Sequence, residues 1–400
     1  MLLQKISDYQ NNAFITIVKN HNSRTEIFNG FSFIAHKMPG DHIFLYETDD
    51  INNIKNKLDK YSTIYCTAIC AGELIFIKKL IDERWILGGP IFRIFRDDYL
   101  KENLPEATII KSSFEDYMGF ERDDIFTPYW NDWLTKSNIH GTIGYGASCG
   151  SNCYWEKCLF CLTTHNENDR RNITKVYNQL PEYTNDTYVH FSFGSTKAKD
   201  LNELIQCINL NKKRNSIFRV YIRGDEDIKK VIEKEKDLSG ILFLIGLESF
   251  SQTTLDRIKK GTNIKTVLEI IKLIVEKGAT TEVTLISGIP SIYLEQTLKE
   301  SLDSIDWIKS NIPPTKRMFF YDAGTVRWPN EEIAKMFGPY KVKNLSFGED
   351  YYFKEKIIYS VLSKEEAYIC TIPLTILQEN GYIVHKREFV FYENGYINTL

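Results

Sequence analysis

The tightest constraint in this 400-residue chain is the run Cys149-Gly-Ser-Asn-Cys153-Tyr-Trp-Glu-Lys-Cys158-Leu-Phe-Cys161, which gathers four of the eight cysteines into one short, polar, aromatic-bearing loop. An unpaired cysteine is usually a small buried hydrophobe. Four in one such loop do not fit that role. Spacing alone permits paired disulfides, a tetrahedral zinc site or an iron–sulfur cluster. Zinc ribbons, however, divide their ligands between two separated pairs, and no second pair follows here. A cluster held by only three thiolates leaves one iron open to a substrate. Cys149 is then a spare buried thiol or a residue at the edge of the centre.

Composition agrees with an ordinary globular protein: 43% hydrophobic, 26% charged, formal net charge −3. That balance gives no reason to expect nucleic acid or an acidic membrane as partner. The first residues, Met1-Leu-Leu-Gln-Lys-Ile-Ser-Asp, do not read as a secretory signal, and no stretch reaches the apolar length of a membrane span. The expected location is the cytoplasm, where thiols stay reduced and structural disulfides are disfavoured.

Hydrophobic periodicity divides the chain into three. Residues 1–125 carry strand-like runs at Phe14–Val18, Phe31–His36, His42–Tyr46, Ser62–Ile69 and Trp85–Pro90, with a helical pattern at Glu73–Ile81. This is a small α/β domain with parallel strands. Phe126–Gly141 reads as a connector. From 142 to 312, strands expected at Thr142–Ala147, Tyr188–Phe193, Ser216–Ile222, Ile241–Gly246 and Thr281–Ser287 alternate with helices at Leu201–Leu210, Asp225–Lys234, Ser251–Lys259, Asn263–Lys277 and Leu294–Ser310. Repeated βα units predict a parallel sheet closed or partly closed into a (β/α) barrel, with its chemistry at the carboxyl ends of the strands. The cysteine loop follows the first of these strands. Residues 313–400 break the rhythm. Ser363-x-x-Glu366 is a capping-box signature opening a helix that Pro373 must kink or interrupt. Tyr382–Tyr392 reads as a strand pair, and the whole region as a C-terminal α+β or winged-helix-like element capping the active site.

Cys153-x4-Cys158-x2-Cys161, with Phe160 before the last cysteine, resembles the cluster loop of the radical SAM superfamily, in the extended-gap form found among its peptide-modifying members. Gly246-Leu-Glu248-Ser, followed by Lys259-Lys260-Gly261, resembles that superfamily's G-x-E-S…K-G signature. Trp85-Ile-Leu-Gly-Gly-Pro90 resembles the Rossmann-like cobalamin domain that precedes many radical SAM domains, although the Asp-x-His-x-x-Gly ligand motif is absent and Asp41-His42 has the wrong spacing. A shrunken domain without the cofactor is the expectation.

The resemblance implies a [4Fe–4S] cluster on Cys153, Cys158 and Cys161, with S-adenosyl-L-methionine at its open iron and a flavodoxin- or ferredoxin-type electron donor. It implies contacts to that cosubstrate from Phe160 beside the cluster, Glu248 at the ribose, Arg223 at the carboxylate and Ser287 of Ser287-Gly-Ile-Pro290 beside the adenine. Where relatives carry Gly-Gly-Glu, this chain has Phe191-Ser192-Phe-Gly194-Ser195, so the amino-group contacts fall to Ser192, Gly194 and Ser195. Each residue also has a plainer reading: a helix N-cap acid, a surface arginine, a strand-to-helix turn. His165 and His190 lack partners at metal-ligand spacing. Cys66, Cys70 and Cys207 lie in apolar surroundings and read as core. Cys370 reads on composition as a buried structural thiol. The overall layout, with a short N-terminal domain, the extended loop and this lone C-terminal cysteine, resembles the proteusin-type radical SAM peptide epimerases. These convert L- to D-residues in a ribosomal precursor peptide carrying a leader, and the likeness implies Cys370 as hydrogen donor. Two alternatives stand beside it: another peptide maturase (a cobalamin-dependent methyltransferase or a crosslinking enzyme), or a zinc-stabilised peptide-binding protein without catalysis.

Overall fold

The computed structural model describes, with short gaps, residues 11–125, 142–146, 153–161, 171–337, 342–344 and 358–399. Ser192, Cys70, Cys149, His165 and the expected connector fall outside the described residues.

In chain order the strands are β1 (Asn12–His21), β2 (Arg24–Ile27), β3 (Asp41–Tyr46), β4 (Thr63–Thr67), β5 (Trp85–Gly88), β6 (Thr108–Ile109), β7 (Thr142–Gly146), β8 (Thr187–His190), β9 (Ser216–Ile222), β10 (Ile241–Glu248), β11 (Thr280–Leu285), β12 (Met318–Asp322), β13 (Arg327–Trp328), β14 (Val342–Asn344), β15 (Ile358–Ser360), β16 (Ile383–His385), β17 (Glu388–Tyr392) and β18 (Gly395–Thr399). The helices are α1 (Ile51–Leu58), α2 (Ala71–Lys78), α3 (Asp97–Asn103), α4 (Phe114–Met118), α5 (Ile173–Gln179), α6 (Ala198–Leu210), α7 (Glu226–Lys234), α8 (Gln252–Arg257), α9 (Ile264–Glu276), α10 (Leu294–Asn311), α11 (Glu331–Lys335) and α12 (Lys364–Glu379). They form two compact units. The first comprises Met1–Ser151, Asn166–Ser192 and Gln206–Phe218; the second comprises Asn152–His165, Phe193–Ile205 and Arg219–Leu400.

In the first unit β1 is central. Its first half pairs in parallel with β3 on one side and β4 on the other; its end pairs antiparallel with β2, which continues to β7 and β8. β4 leads to β5 and β6, all parallel. The order β3-β1-β4-β5-β6, with α1, α2 and α3 in the crossovers, is the doubly wound order of flavodoxin-like sheets.

Phe31–His36 is not the expected strand. Ile34 N–H donates to Phe31 O at 3.0 Å and Met38 N–H to Ile34 O at 3.1 Å, so the run coils. Phe31, Ile34 and Met38, spaced like a helical face, pack on Phe14, Tyr65 and Phe114. Periodicity over so short an apolar run could not separate the two conformations.

In the second unit β10, β11, β12 and β16 are consecutive parallel neighbours. Inward-facing Phe243, Ile245, Val283 and Phe320 are fully buried. α7 starts where Asp225 caps Ile228 N–H, and α9 where Asn263 caps Lys265 and Thr266. Tyr382–Tyr392 is not one hairpin. β16 adds to this parallel sheet beside β12, and the hairpin is β17 with β18. The expected capping box at Ser363 and Glu366 is present, and Pro373 lies within α12. Cys66 and Cys207 are buried, as their apolar surroundings predict, and His190 is buried as well. Among the described residues, no helix is long and apolar enough to cross a membrane.

Candidate active site at the strand ends of the second unit

The cysteine loop is fastened to the turn after α8. Leu159 N–H donates to Ile258 O at 3.0 Å, and the Trp155 indole Nε1–H donates to Lys259 O at 2.8 Å. The indole lies close against Gly261, where an added Cβ would meet its ring at 1.9 Å; Gly261 also has φ +65°, a conformation that disfavours other residues. That is why glycine follows Lys260. The Arg223 guanidinium lies over the Trp155 ring, 4.4 Å from its centre, and donates through Nη2 to Lys260 O. The Tyr154 hydroxyl donates to Asp225, and this contact, after burial, holds the phenol well above its ordinary pKa.

Within this frame the three cysteines are free and half-buried. Burial opposes ionisation of Cys153, but the backbone N–H groups of Trp155 and Glu156, the Ser195 hydroxyl and the Arg223 charge outweigh it, and the thiol is shifted down. Glu156 turns its N–H inward by adopting φ +58°. Cys158 is shifted up by burial, against the pull of Lys260 and Arg223; Arg223 Nη1 lies 3.9 Å from its sulfur. Among the described residues, no three His, Cys, Asp or Glu side chains converge as a single metal ion requires. A cuboidal cluster sets each thiolate on a different iron, so its ligands stand further apart. Three free thiols on one turn, one held toward thiolate by fixed N–H groups and two cations beside them, fit such a cluster in their donor chemistry.

β10 ends in a bulge between Gly246 and Glu248. Glu248 takes φ +69°, an unfavourable conformation for a residue with a side chain, of the kind retained where function requires it. Its carboxylate is buried and accepts from Lys260 Nζ at 2.7 Å. Gly246 makes room for that pair, since a Cβ there would meet Glu248 Oε1 at 2.6 Å. Lys260 Nζ also stands 5.8 Å from the Phe160 ring. Glu248 and Lys260 therefore couple the strand end to the cysteine loop, a link that the two separate sequence signatures did not reveal.

The remaining expected residues fall as follows. Ser195 is on Cys153, and Gly194 lies in the bend before α6. Arg223 is 2% exposed and its Nε has no hydrogen-bond partner. Ser287 donates through its hydroxyl to Asp322 at 2.7 Å and through its N–H at 3.2 Å, while Gly324 N–H also reaches Asp322 at 2.9 Å. Asp322, at the end of β12, gave no sequence signal beyond its place after an apolar strand.

Glu248, Ser249, Ser287, Glu366 and Cys370 line one largely apolar cavity, completed by residues including Ile369 and Leu374. Cys370 reaches it from α12. Burial, then the carboxylates of Glu366 and Asp322, push its thiol up to about 12, so it stays protonated at neutral pH.

Solved structures give the fold a class: it is that of radical SAM enzymes. The cobalamin-dependent S-adenosylmethionine radical enzyme OxsB superposes with a TM-score of 0.54 at 14% identity, over 74% of this chain and 52% of that one. This chain thus spans about half of OxsB's length in that comparison. The radical S-adenosylmethionine methyltransferase TsrM from Kitasatospora setae, with tryptophan and a SAM analogue bound, superposes with a TM-score of 0.52 at 13% identity, over 80% of this chain and 74% of its own. TsrM with cobalamin and a [4Fe–4S] cluster gives 0.50 at 12% identity, over 80% and 76%. No protein-family model matches the sequence, and no curated protein matches it.

Proposed function

We propose that the chain is a radical SAM peptide epimerase. Cys153, Cys158 and Cys161 would hold a [4Fe–4S] cluster, and Glu248, Arg223, Phe160, Gly194, Ser195 and Ser287 would border S-adenosyl-L-methionine. Bound there, with an electron from a flavodoxin- or ferredoxin-type donor, this pair would supply a 5′-deoxyadenosyl radical able to remove a Cα hydrogen from a ribosomal precursor peptide. The chain's own residues then decide the outcome. The apolar cavity keeps water and other hydrogen donors from the planar Cα radical. The Cys370 S–H, a weak bond, delivers a hydrogen atom to the face opposite abstraction, which leaves a D-residue and a Cys370 thiyl radical.

The observation that carries this reading is the position and state of Cys370: a protonated thiol facing the same cavity as Glu248 and Ser287. A thiolate has no hydrogen atom to give. Reaction of precursor peptide with reconstituted enzyme in deuterated water tests it. The expected product carries one deuterium at each inverted Cα. Inversion without deuterium, or SAM cleavage with peptide mass and chirality unchanged, counts against it.

A second reading is favoured by a separate observation. The first unit has the flavodoxin-like strand order, and OxsB and TsrM are respectively described as cobalamin-dependent and bound to cobalamin. A cobalamin-dependent peptide maturase would show the cobalamin absorption band in the purified protein, and would still form product after Cys370→Ala.

A further inference from the structure

Glu366 is the residue of the cavity that the proposed reaction leaves unused. Its side chain is 2% exposed. Oε2 accepts from Ser363 N–H at 2.8 Å and closes the capping box. Oε1 is buried without a hydrogen-bond partner; of the described buried side-chain oxygens and nitrogens left in that state, it is the one on a residue that lines the cavity. A capping box needs only one carboxylate oxygen. A buried ionisable oxygen without a partner is unfavourable, so it calls for a purpose beyond helix capping.

Geometry supplies that purpose. Glu366 and Cys370 are four residues apart on α12, hence on one helical face, and both line the cavity. The first turn of the helix is open to solvent at Ser363, Lys364 and Glu365. Glu366 therefore reaches from a solvent-exposed helix start to the chamber that holds the thiol. Asp322, the other carboxylate that acts on Cys370, is already bonded by Ser287 and Gly324.

We infer that Glu366 is the proton donor that restores the Cys370 thiol after each inversion, a step that rests on the epimerase reading above. When Cys370 has given up its hydrogen atom, its sulfur is a thiyl radical. One electron from the flavodoxin- or ferredoxin-type donor and one proton relayed by the Glu366 carboxylate regenerate the thiol. Water at the exposed first turn gives the proton to the carboxylate and leaves as hydroxide; the new carboxyl O–H then breaks as the S–H forms, and the carboxylate is restored. Glu366 thus governs repeated turnover.

The test is Glu366→Gln, which keeps an oxygen for Ser363 N–H but has no carboxyl proton. With excess peptide and reductant, inverted residues are counted against time by rapid quench. The variant is expected to give a burst of about one inversion per chain, then turnover about a hundredfold slower than that burst. Glu366→Asp is expected to recover part of the later rate. Undiminished turnover in Glu366→Gln overturns the inference. So does an equal fall in burst and later rate, which signals packing or binding, and so does a Glu366→Asp rate no better than Gln. Cys370→Ala is run alongside: if it still inverts the peptide with deuterium uptake, Cys370 is not the hydrogen donor and that part of the proposed reaction has failed, whatever Glu366→Gln does; if the unmodified chain inverts no peptide at all, the epimerase reading has failed.

Discussion

Each unit contains a parallel sheet, and in such sheets ligands collect at the carboxyl ends of the strands. The two spend those ends differently. In the first unit Gly89, at φ +111°, brings the end of β5 onto β4, where a Cβ would meet Ala68 O at 2.5 Å. The Asp41-His42 pair stands at the start of β3, the wrong edge for a ligand. Its imidazole stacks on Phe14 at 4.9 Å, and its carboxylate takes the Tyr61 hydroxyl and Lys60. Polar groups there serve packing. In the second unit the strand ends hold Glu248 at an unfavourable φ, Arg223 with an unbonded Nε and a cavity with a protonated thiol. Among the described residues, the charged and thiol-bearing side chains of the candidate site gather at the strand ends of the second unit.

The largest effect that sharpens this contrast is loss of a loop thiol. Cys158→Ala is expected to abolish iron retention and 5′-deoxyadenosine formation, read by metal analysis and product assay. Next, Cys370→Ala is expected to keep SAM cleavage and lose inversion, seen in peptide chirality. Gly261→Ala, which sets a Cβ into the Trp155 indole at a left-handed φ, should destabilise the second unit by about 2–4 kcal/mol in denaturant titration.

A pH effect separates the units. Burial lowers the His42 pKa from 6.5 to about 4 despite Asp41. The unfolded imidazole takes up its proton first as pH falls, so this contribution is present above pH 6.5 and is lost on descent toward pH 4. It amounts to about 3 kcal/mol in all. His42→Phe should flatten the acid limb of the stability curve, without change in iron content. The smallest effect is Ser363→Ala: loss of the capping box should lower stability by about 1 kcal/mol, seen in the thermal midpoint.

Much of this could be read in the sequence because it rests on local rules. The βα alternation, the Ser363 capping box and the cysteine spacing each follow from a few neighbouring residues. The Gly246-x-Glu248 and Lys260-Gly261 signatures were visible as strings, but their reason was not: Glu248 folds over Gly246 to meet Lys260, and Trp155 lies on Gly261. Non-local pairings escaped as well. β16 joins β12, although adjacency in the chain suggested a hairpin with β17. Asp322 meets Ser287 across 35 positions. Glu366 was legible as a cap through Oε2, whereas its bare Oε1 depends on how the cavity closes around α12.

The central claim is that Cys153, Cys158 and Cys161 hold an iron–sulfur cube with one corner left to a substrate. Mössbauer spectroscopy of anaerobically prepared, iron-57-loaded protein, with and without S-adenosyl-L-methionine, tests it most directly. The account predicts a [4Fe–4S] spectrum in which one iron site changes when the sulfonium compound is added. Protein that carries zinc in place of iron, or a cluster spectrum indifferent to that addition, would contradict it.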